Sequence, residues 1–160
     1  MTKPGHTGGF LGSLRYKLIN FYPPFLGAGI RVLRRESDTH TIRVRMKVTR
    51  LNLNAVGTHF GGSLYAMCDP FFMLLLMHSL GRDYIVWDTA ASIRFVRPGR
   101  GAVHATFHIP QATIDAVRAQ ADAGQPVEPE FGVDVVDEAG EVVAHVEKRL
   151  YVRRKLRSAA

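Results

Sequence analysis

The chain has 160 residues, of which 46% are hydrophobic and 22% are charged, a composition typical of one soluble globular domain with a real core. Its formal net charge of +7 indicates an affinity for anions, which nucleic acid, an anionic membrane and a phosphorylated small molecule would all satisfy. The single cysteine, Cys68, excludes an intramolecular disulfide framework and is typical of a reducing compartment. No apolar signal-peptide core follows the N-terminus, so we predict a cytoplasmic protein.

We predict a disordered N-terminus over residues 1–9 and one domain over residues 10–160. Apolar residues recur at helical spacing from Phe10 to Phe21, with basic residues between them, which predicts an amphipathic helix. A basic amphipathic helix can lie on a membrane surface, but packing against its own domain is commoner, and we expect packing here. The prolines at positions 23 and 24 end the helix, because the residue before a proline is pushed out of helical geometry.

Alternating or β-branched apolar segments predict strands at residues 30–35, 40–49, 90–96, 103–109, 131–136 and 142–152. Helical patterns cover residues 61–80 and 111–124. The turn sequences at 36–39 and 137–140 join neighbouring strands into hairpins. A largely antiparallel sheet follows, and the very apolar first helix must bury most of its surface. A sheet wrapped around that helix satisfies both requirements, which predicts the α+β hotdog fold.

The segment from Asn54 to Asp69 is the most informative for function. Gly61 and Gly62 fall where the helix begins, so unpaired backbone N–H groups and a partial positive charge are accessible to a ligand oxygen. The carboxylate of Asp69 follows about two turns later. Donors for an oxyanion and a nearby carboxylate are the minimum equipment for acyl transfer. A tight turn before a core helix would produce the same pattern.

Pro70 allows a second interpretation of Asp69. A proline inside a helix costs about 3 kcal/mol, so the helix is expected to break at residue 69. Asp69 would then be an N-cap and Pro70 the first helical residue, both favoured positions. The carboxylate would accept hydrogen bonds from the N–H groups of Phe71 or Phe72. Capping and catalysis remain equally supported, and one carboxylate can serve both.

The motif resembles that of hotdog-fold acyl-CoA thioesterases of the phenylacetate-pathway type, in which Asn-x-x-Gly-x-x-His-Gly-Gly precedes an acidic residue down the helix. Here the motif begins at Asn54, continues through Gly57 and ends at Gly61 and Gly62. Over nearly its whole length the chain also resembles the bacterial family called domain of unknown function 4442. The likeness includes the 111–130 insertion and the closing strand from Lys148 to Lys155.

The resemblance implies that Asp69 is the general base or nucleophile, that the N–H of Gly61 donates to the oxyanion, and that Asn54 orients the thioester or the water. It also implies a site shared across a dimer, with Asp69 facing Asn54 and Gly61 of the partner. Phe60 occupies the position of the family's histidine, and His59 lies one place earlier.

Other candidate substrate-binding positions follow from the same resemblance. Asp88 and Thr89 lie near a position where some relatives have a serine or threonine that positions water. With His59, Phe60 and Gly62, these two residues complete the predicted substrate-binding set.

We therefore predict a hydrolase of acyl thioesters, with CoA the expected thiol because the excess positive charge suits its phosphates. The alternative is a non-catalytic acyl-chain or acyl-CoA binding protein. No metal site, cofactor or membrane span is predicted, and the arginines lack the interleaved aromatics of a nucleic-acid binder. The apolar group from Tyr84 to Trp87 suits a two-fold interface, so we expect a homodimer or tetramer.

Overall fold

The computed structural model describes residues 18–33 and 40–156. The predicted disordered segment 1–9, residues 10–17 of the predicted N-terminal helix and the predicted turn at 36–39 lie outside the described residues. The described elements are α1 (Pro23–Ala28), β1 (Ile30–Val32), β2 (Thr41–Met46), α2 (Gly61–Ala66), α3 (Phe71–Leu80), β3 (Tyr84–Phe95), β4 (Val103–His108), α4 (Gln111–Asp122), β5 (Glu130–Asp137) and β6 (Val142–Arg154).

The strands form one six-stranded sheet in the order β1-β2-β4-β5-β6-β3. Every neighbouring pair is antiparallel, and α3 packs against β3 and β4. The predicted α+β architecture, an antiparallel sheet around an apolar central helix, is confirmed. All six predicted strands are present, with ends that differ by a few residues.

The strand β3 is the largest departure from the expected boundaries. Residues 84–87, which we placed before the strand, are its first four residues. β3 pairs with β6 through an irregularity between Asp88 and Ala90. The bulge leaves Thr89 outside the regular register and bends the strand. Within the described ranges 18–33 and 40–156, β3 ends the sheet, and this twelve-residue strand has a neighbour on one side only.

The core lies between α3 and the inner face of the sheet. Phe71 and Phe72 both pack against Phe107 of β4, with ring centroids 5.0 and 5.2 Å apart, and Phe72 stacks on Phe131 of β5. These contacts join the helix to two strands that are distant in sequence. The 61–80 segment is long and apolar enough to cross a membrane, but half of it is buried inside this domain.

The predicted single helix over 61–80 is two helices joined at residues 67–70. The break near Pro70 is confirmed, but the interpretation of Asp69 as its N-cap is wrong. Pro70 itself occupies the N-cap position, and no side chain caps the helix. The Asp69 carboxylate is hydrogen-bonded to Tyr65 and Lys148 instead. An N-cap contributes about 1 kcal/mol, whereas an unpaired buried ammonium costs several, so the lysine takes the carboxylate.

The end of the N-terminal amphipathic pattern is not packed as we expected. Ile19 contacts the core, and the Asn20 side chain exchanges two hydrogen bonds with the backbone of Val32. Leu18 and Phe21, which belong to the predicted apolar stripe, are 60% and 67% exposed. The described part of this stripe therefore faces outward.

Truncation of Phe107 tests the helix-to-sheet packing. Phe107 is fully buried between Phe71 and Phe72, so Phe107→Ala is expected to lower the free energy of unfolding by about 3–5 kcal/mol. Leu51→Ala, at an exposed loop position, is the control, with an expected change within about 0.5 kcal/mol. Urea unfolding measures both. A small loss for Phe107→Ala would contradict the packing described.

Candidate active site

The site begins with a lysine on the buried face of β6. Along this strand Val146, Leu150 and Val152 are fully buried, and Lys148 shares their alternate phase. Its side chain is 0% exposed. A buried ammonium costs several kcal/mol unless it is paired and hydrogen-bonded. Because the strand register buries Lys148, its ammonium requires negatively charged partners near the start of α3.

Three polar side chains surround the ammonium, one each from α2, from the turn before α3 and from β3. The Nζ of Lys148 lies 3.0 Å from Oδ1 of Asp69 and 3.2 Å from Oδ2 of Asp88. It also donates to the Tyr65 hydroxyl at 3.1 Å. Tyr65 in turn donates to Oδ1 of Asp69 at 2.8 Å. The four side chains form one network, hereafter the lysine cluster.

Each member of the lysine cluster is held in a defined electrostatic state. Burial by itself would lower the pKa of Lys148, but the hydrogen bonds that its ammonium donates to Tyr65 and Asp69 and the two carboxylate charges raise that pKa overall. Burial raises the pKa of the Tyr65 hydroxyl, and its bond to Asp69 adds to that rise. Lys148 is therefore a cation and Tyr65 a neutral donor near neutral pH.

Asp69 is the accessible member of the cluster. Its side chain is 50% exposed, against 24% for Asp88. Both donors, from Tyr65 and Lys148, use the same oxygen, Oδ1. Within the described residues no hydrogen bond reaches Oδ2. One oxygen is fixed by the protein, and the other is available to an incoming molecule.

Asp88 joins the cluster through Lys148, and Thr89 does not. Burial raises the pKa of the Asp88 carboxyl, while the charge of Lys148 opposes that rise. The second oxygen of Asp88, Oδ1, is buried and has no hydrogen-bond partner in the part of the chain that the structure describes. Thr89 donates to the carbonyl of Arg149 on the exposed side of the strand, so its hydroxyl pins the bulge and does not reach the cluster.

The motif loop forms a second group. The side chain of Asn54 accepts hydrogen bonds from the N–H groups of Val56 and Thr58 and donates to the Thr58 hydroxyl and the His59 carbonyl. Asparagine commonly closes turns in this way. Within one chain Asn54 therefore shapes the loop that leads to Gly61, and its amide is already used.

His59 is a buried structural residue of this loop. It is 3% exposed, and its Nε2 lies 2.9 Å from the carbonyl oxygen of Gly101. A carbonyl can only accept, so the Nε2 carries the proton. The Nδ1 is buried, and none of the described residues forms a hydrogen bond with it. Burial lowers the pKa of the imidazole despite the bond to Gly101, which keeps the ring neutral.

Gly61 and Gly62 open α2, and each lies under an aromatic ring. A Cβ on Gly61 would be 2.9 Å from the Phe95 ring, and one on Gly62 would overlap the Phe60 ring. Both rings are themselves about half exposed. Beside them is a cleft of about 410 Å³. It is lined by Asn54, Thr58, His59, Gly61, Leu64, Phe95, Val96, Arg97, Pro98 and Gly99.

The two groups do not meet within one chain. Gly61 and Asp69 are eight residues apart along two helices that follow one another, a separation of roughly 12 Å. Among the described residues no hydrogen bond or ion pair joins the motif loop to the lysine cluster.

Tyr65 and Lys148 were absent from the sequence-based candidates. Signals for both are present in retrospect. Lys148 interrupts the apolar phase of the last strand, and Tyr65 stands four residues before Asp69, where helical side chains are neighbours. Cys68, in contrast, is fully buried as expected, and burial raises the pKa of its thiol to about 12. Among the described residues no group of His, Cys, Asp or Glu could hold a metal ion.

The fold has counterparts among solved structures. PA5026 of Pseudomonas aeruginosa, a protein of unknown function and probable thioesterase, superposes with a TM-score of 0.81 at 22% identity, over 90% of this chain and 96% of that one. Thioesterase HI1161 of Haemophilus influenzae gives 0.66 at 15% identity, over 92% and 94%. The PaaI protein of the E. coli phenylacetic acid degradation operon gives 0.59 at 20% identity, over 88% and 95%.

The antiparallel sheet around the central helix and the superpositions define a hotdog-fold protein. Residues 14–152 match the family model described as domain of unknown function DUF4442, and the chain belongs to that family. No curated protein sequence matches it. At identities below 25%, the superpositions establish a shared fold. A shared fold does not fix the chemistry, which depends on the residues at the site.

Acidification tests the buried neutral state of His59. The folded pKa lies below the unfolded value of 6.5, so below pH 6.5 the unfolded chain binds more protons and stability falls as the pH falls. In His59→Gln, whose amide can still donate to Gly101, this contribution disappears. The stability of the wild type should therefore fall more steeply, by up to about 1.4 kcal/mol per pH unit. Urea titrations at several pH values measure the difference, and parallel curves would contradict the assignment.

Proposed function

We propose that the protein hydrolyses acyl thioesters and that Asp69 is the catalytic carboxylate. The observation that carries the proposal is the fixed Asp69 carboxylate, with one oxygen bound by Tyr65 and Lys148 and the side chain half exposed. A side chain held in this way is ready to act without reorganisation.

In the proposed reaction Asp69 takes a proton from water through Oδ2 as the water oxygen adds to the thioester carbonyl. The resulting oxyanion accepts a hydrogen bond from the N–H of Gly61. When the tetrahedral intermediate collapses the C–S bond breaks, and the thiolate leaves and is protonated. Direct attack by Asp69 on the carbonyl, followed by hydrolysis of the anhydride, uses the same groups.

The Gly61 that serves Asp69 would belong to a second copy of the chain, because the two residues of one chain are separated by roughly 12 Å. The free side of β3 supports a homodimer. A long edge strand without a neighbour is a hazard that proteins usually cover, and pairing two copies of β3 would cover it. Association of two dimers into a tetramer stays a prediction, as does a cytoplasmic location.

CoA is the proposed thiol. The excess of basic residues suits its phosphates, and the apolar rings of Phe60 and Phe95 beside Gly61 suit an acyl or pantetheine chain. Binding without hydrolysis is the alternative, and the close packing of those two rings against the two glycines favours it. Rates with a panel of acyl-CoAs distinguish the two functions.

Neutralising the carboxylate tests the chemistry. Asp69→Asn keeps the shape of the side chain but cannot take a proton, so turnover of acyl-CoAs should fall by about 10²-fold or more. Asp115→Asn, on the exposed surface of α4, is the matched control and should retain wild-type rates. Equal turnover by the wild type and Asp69→Asn would remove Asp69 from the mechanism.

Removing the ammonium tests its positioning role. Lys148→Met leaves two carboxylates beside each other and frees Asp69, so kcat should fall by about 10²-fold and the protein should lose stability. The double variant Lys148→Met/Asp88→Asn removes the surplus charge and should regain stability while kcat stays low. Recovery of kcat with stability would show that Lys148 serves folding alone.

Mixed dimers test the shared site. Asp69→Asn and Gly61→Val should each be inactive, the second because its side chain meets Phe95. When the two variants are unfolded together and refolded, half of the dimers combine both chains and have one intact site. Activity should return to about one quarter of the wild-type level. A mass near the 17.8 kDa of one chain, or no recovery, would contradict the shared site.

A further inference from the structure

The net positive charge of the chain comes from its first 68 residues. That part contains ten lysines and arginines and only two acids, Glu36 and Asp38. The remaining 92 residues carry eleven basic and twelve acidic side chains, so they are close to neutral. A strong charge asymmetry between two parts of a chain indicates interaction with a polyanion or an anionic surface.

The same part of the chain exposes large apolar side chains. In the stretch that leads into α1, Leu18 and Phe21 face outward, and Tyr22 and Leu26 are about half exposed. Leu18 and Phe21 are three residues apart, so they share one side of a helical turn. Leu51, in the loop after β2, is 82% exposed.

One buried side chain joins the two segments. Asn52 is 1% exposed and donates to the carbonyls of Ala28, at the end of α1, and Lys47. It also accepts from the N–H of Thr49. The loop from Lys47 to Asn52 is therefore fixed against the C-terminal end of α1. We group the exposed apolar residues of both segments with Lys47 and Arg50 and call this group the basic apolar face.

We propose that the basic apolar face docks on an anionic lipid bilayer. Leucine and phenylalanine side chains would enter the boundary between headgroups and acyl chains, and Lys47 and Arg50 would pair with lipid phosphates. Both basic residues are exposed, and in the described part of the chain neither pairs with an acid. Exposed leucines gain nothing from a nucleic-acid backbone, whereas the mixture of aliphatic, aromatic and cationic groups is complementary to an anionic membrane surface.

Co-flotation of the full chain with vesicles tests the proposal. Vesicles of phosphatidylcholine mixed with phosphatidylglycerol should carry the protein to the top of a gradient, and added salt should weaken the binding. Vesicles of phosphatidylcholine alone should bind about tenfold less or weaker still. Equal binding to both kinds of vesicle, or no binding to either, would overturn the proposal.

Matched variants locate the surface. Phe21→Ser/Leu51→Ser and Lys47→Gln/Arg50→Gln should each lower binding to the mixed vesicles by about tenfold. Leu156→Ser is the control, because Leu156 is 86% exposed but follows β6, away from this face. Binding unchanged by both double variants would overturn the proposal. A lower oligomeric mass of Phe21→Ser/Leu51→Ser in light scattering would also overturn it, since a second copy would then cover the face. Acyl-CoA turnover without vesicles should stay at the wild-type rate in both variants.

Discussion

The buried ammonium of Lys148 is the interaction on which the site depends. A cation on the inner face of a sheet is tolerated only with negative partners at hydrogen-bond distance. Asp69, Asp88 and Tyr65 supply that environment from the turn before α3, from β3 and from α2. The same constraint turns the Asp69 carboxylate away from the α3 backbone, at the break in the central helix beside Pro70. The Asp69 carboxylate therefore neutralises the buried ammonium and, at the same time, is held in a fixed position with its side chain half exposed.

The lysine cluster and the motif loop have different structural roles. The lysine cluster fixes charges, and the motif loop fixes a backbone. In that loop the side chains of Asn54 and His59 form hydrogen bonds with backbone groups, which holds the start of α2 in place. His59 is kept neutral by burial and links this loop to the connection between β3 and β4. Neither side chain contacts the lysine cluster, so joining the two groups on one substrate falls to subunit association.

The fold was largely predictable from the sequence because its signals are local. Alternation marked five of the strands closely, and the single very apolar helix required a sheet to cover it. The start of β3 was missed because Tyr84 to Trp87 have no alternation, since that end of the strand is partly buried on both sides. The site was less predictable. Asp69, Gly61 and Asn54 follow from a motif, but Lys148 is 79 residues from Asp69 in sequence and is brought there by strand order alone. The N-cap interpretation failed because the competing partner was non-local.

The three charged members of the lysine cluster come from positions 69, 88 and 148 of a 160-residue chain. During synthesis the two carboxylates and the central helix are therefore complete long before the lysine that neutralises them. Until β6 pairs with β3, the inner face contains two negative charges and no cation, which disfavours premature closure of the sheet over α3. Because domains fold cooperatively and non-local strand pairing is slow, we expect closure of the core to depend on the pairing of β6 with β3. A chain that ends just before residue 148 would keep the start of β6 but lack the rest of that strand and the ammonium that pairs with Asp69 and Asp88.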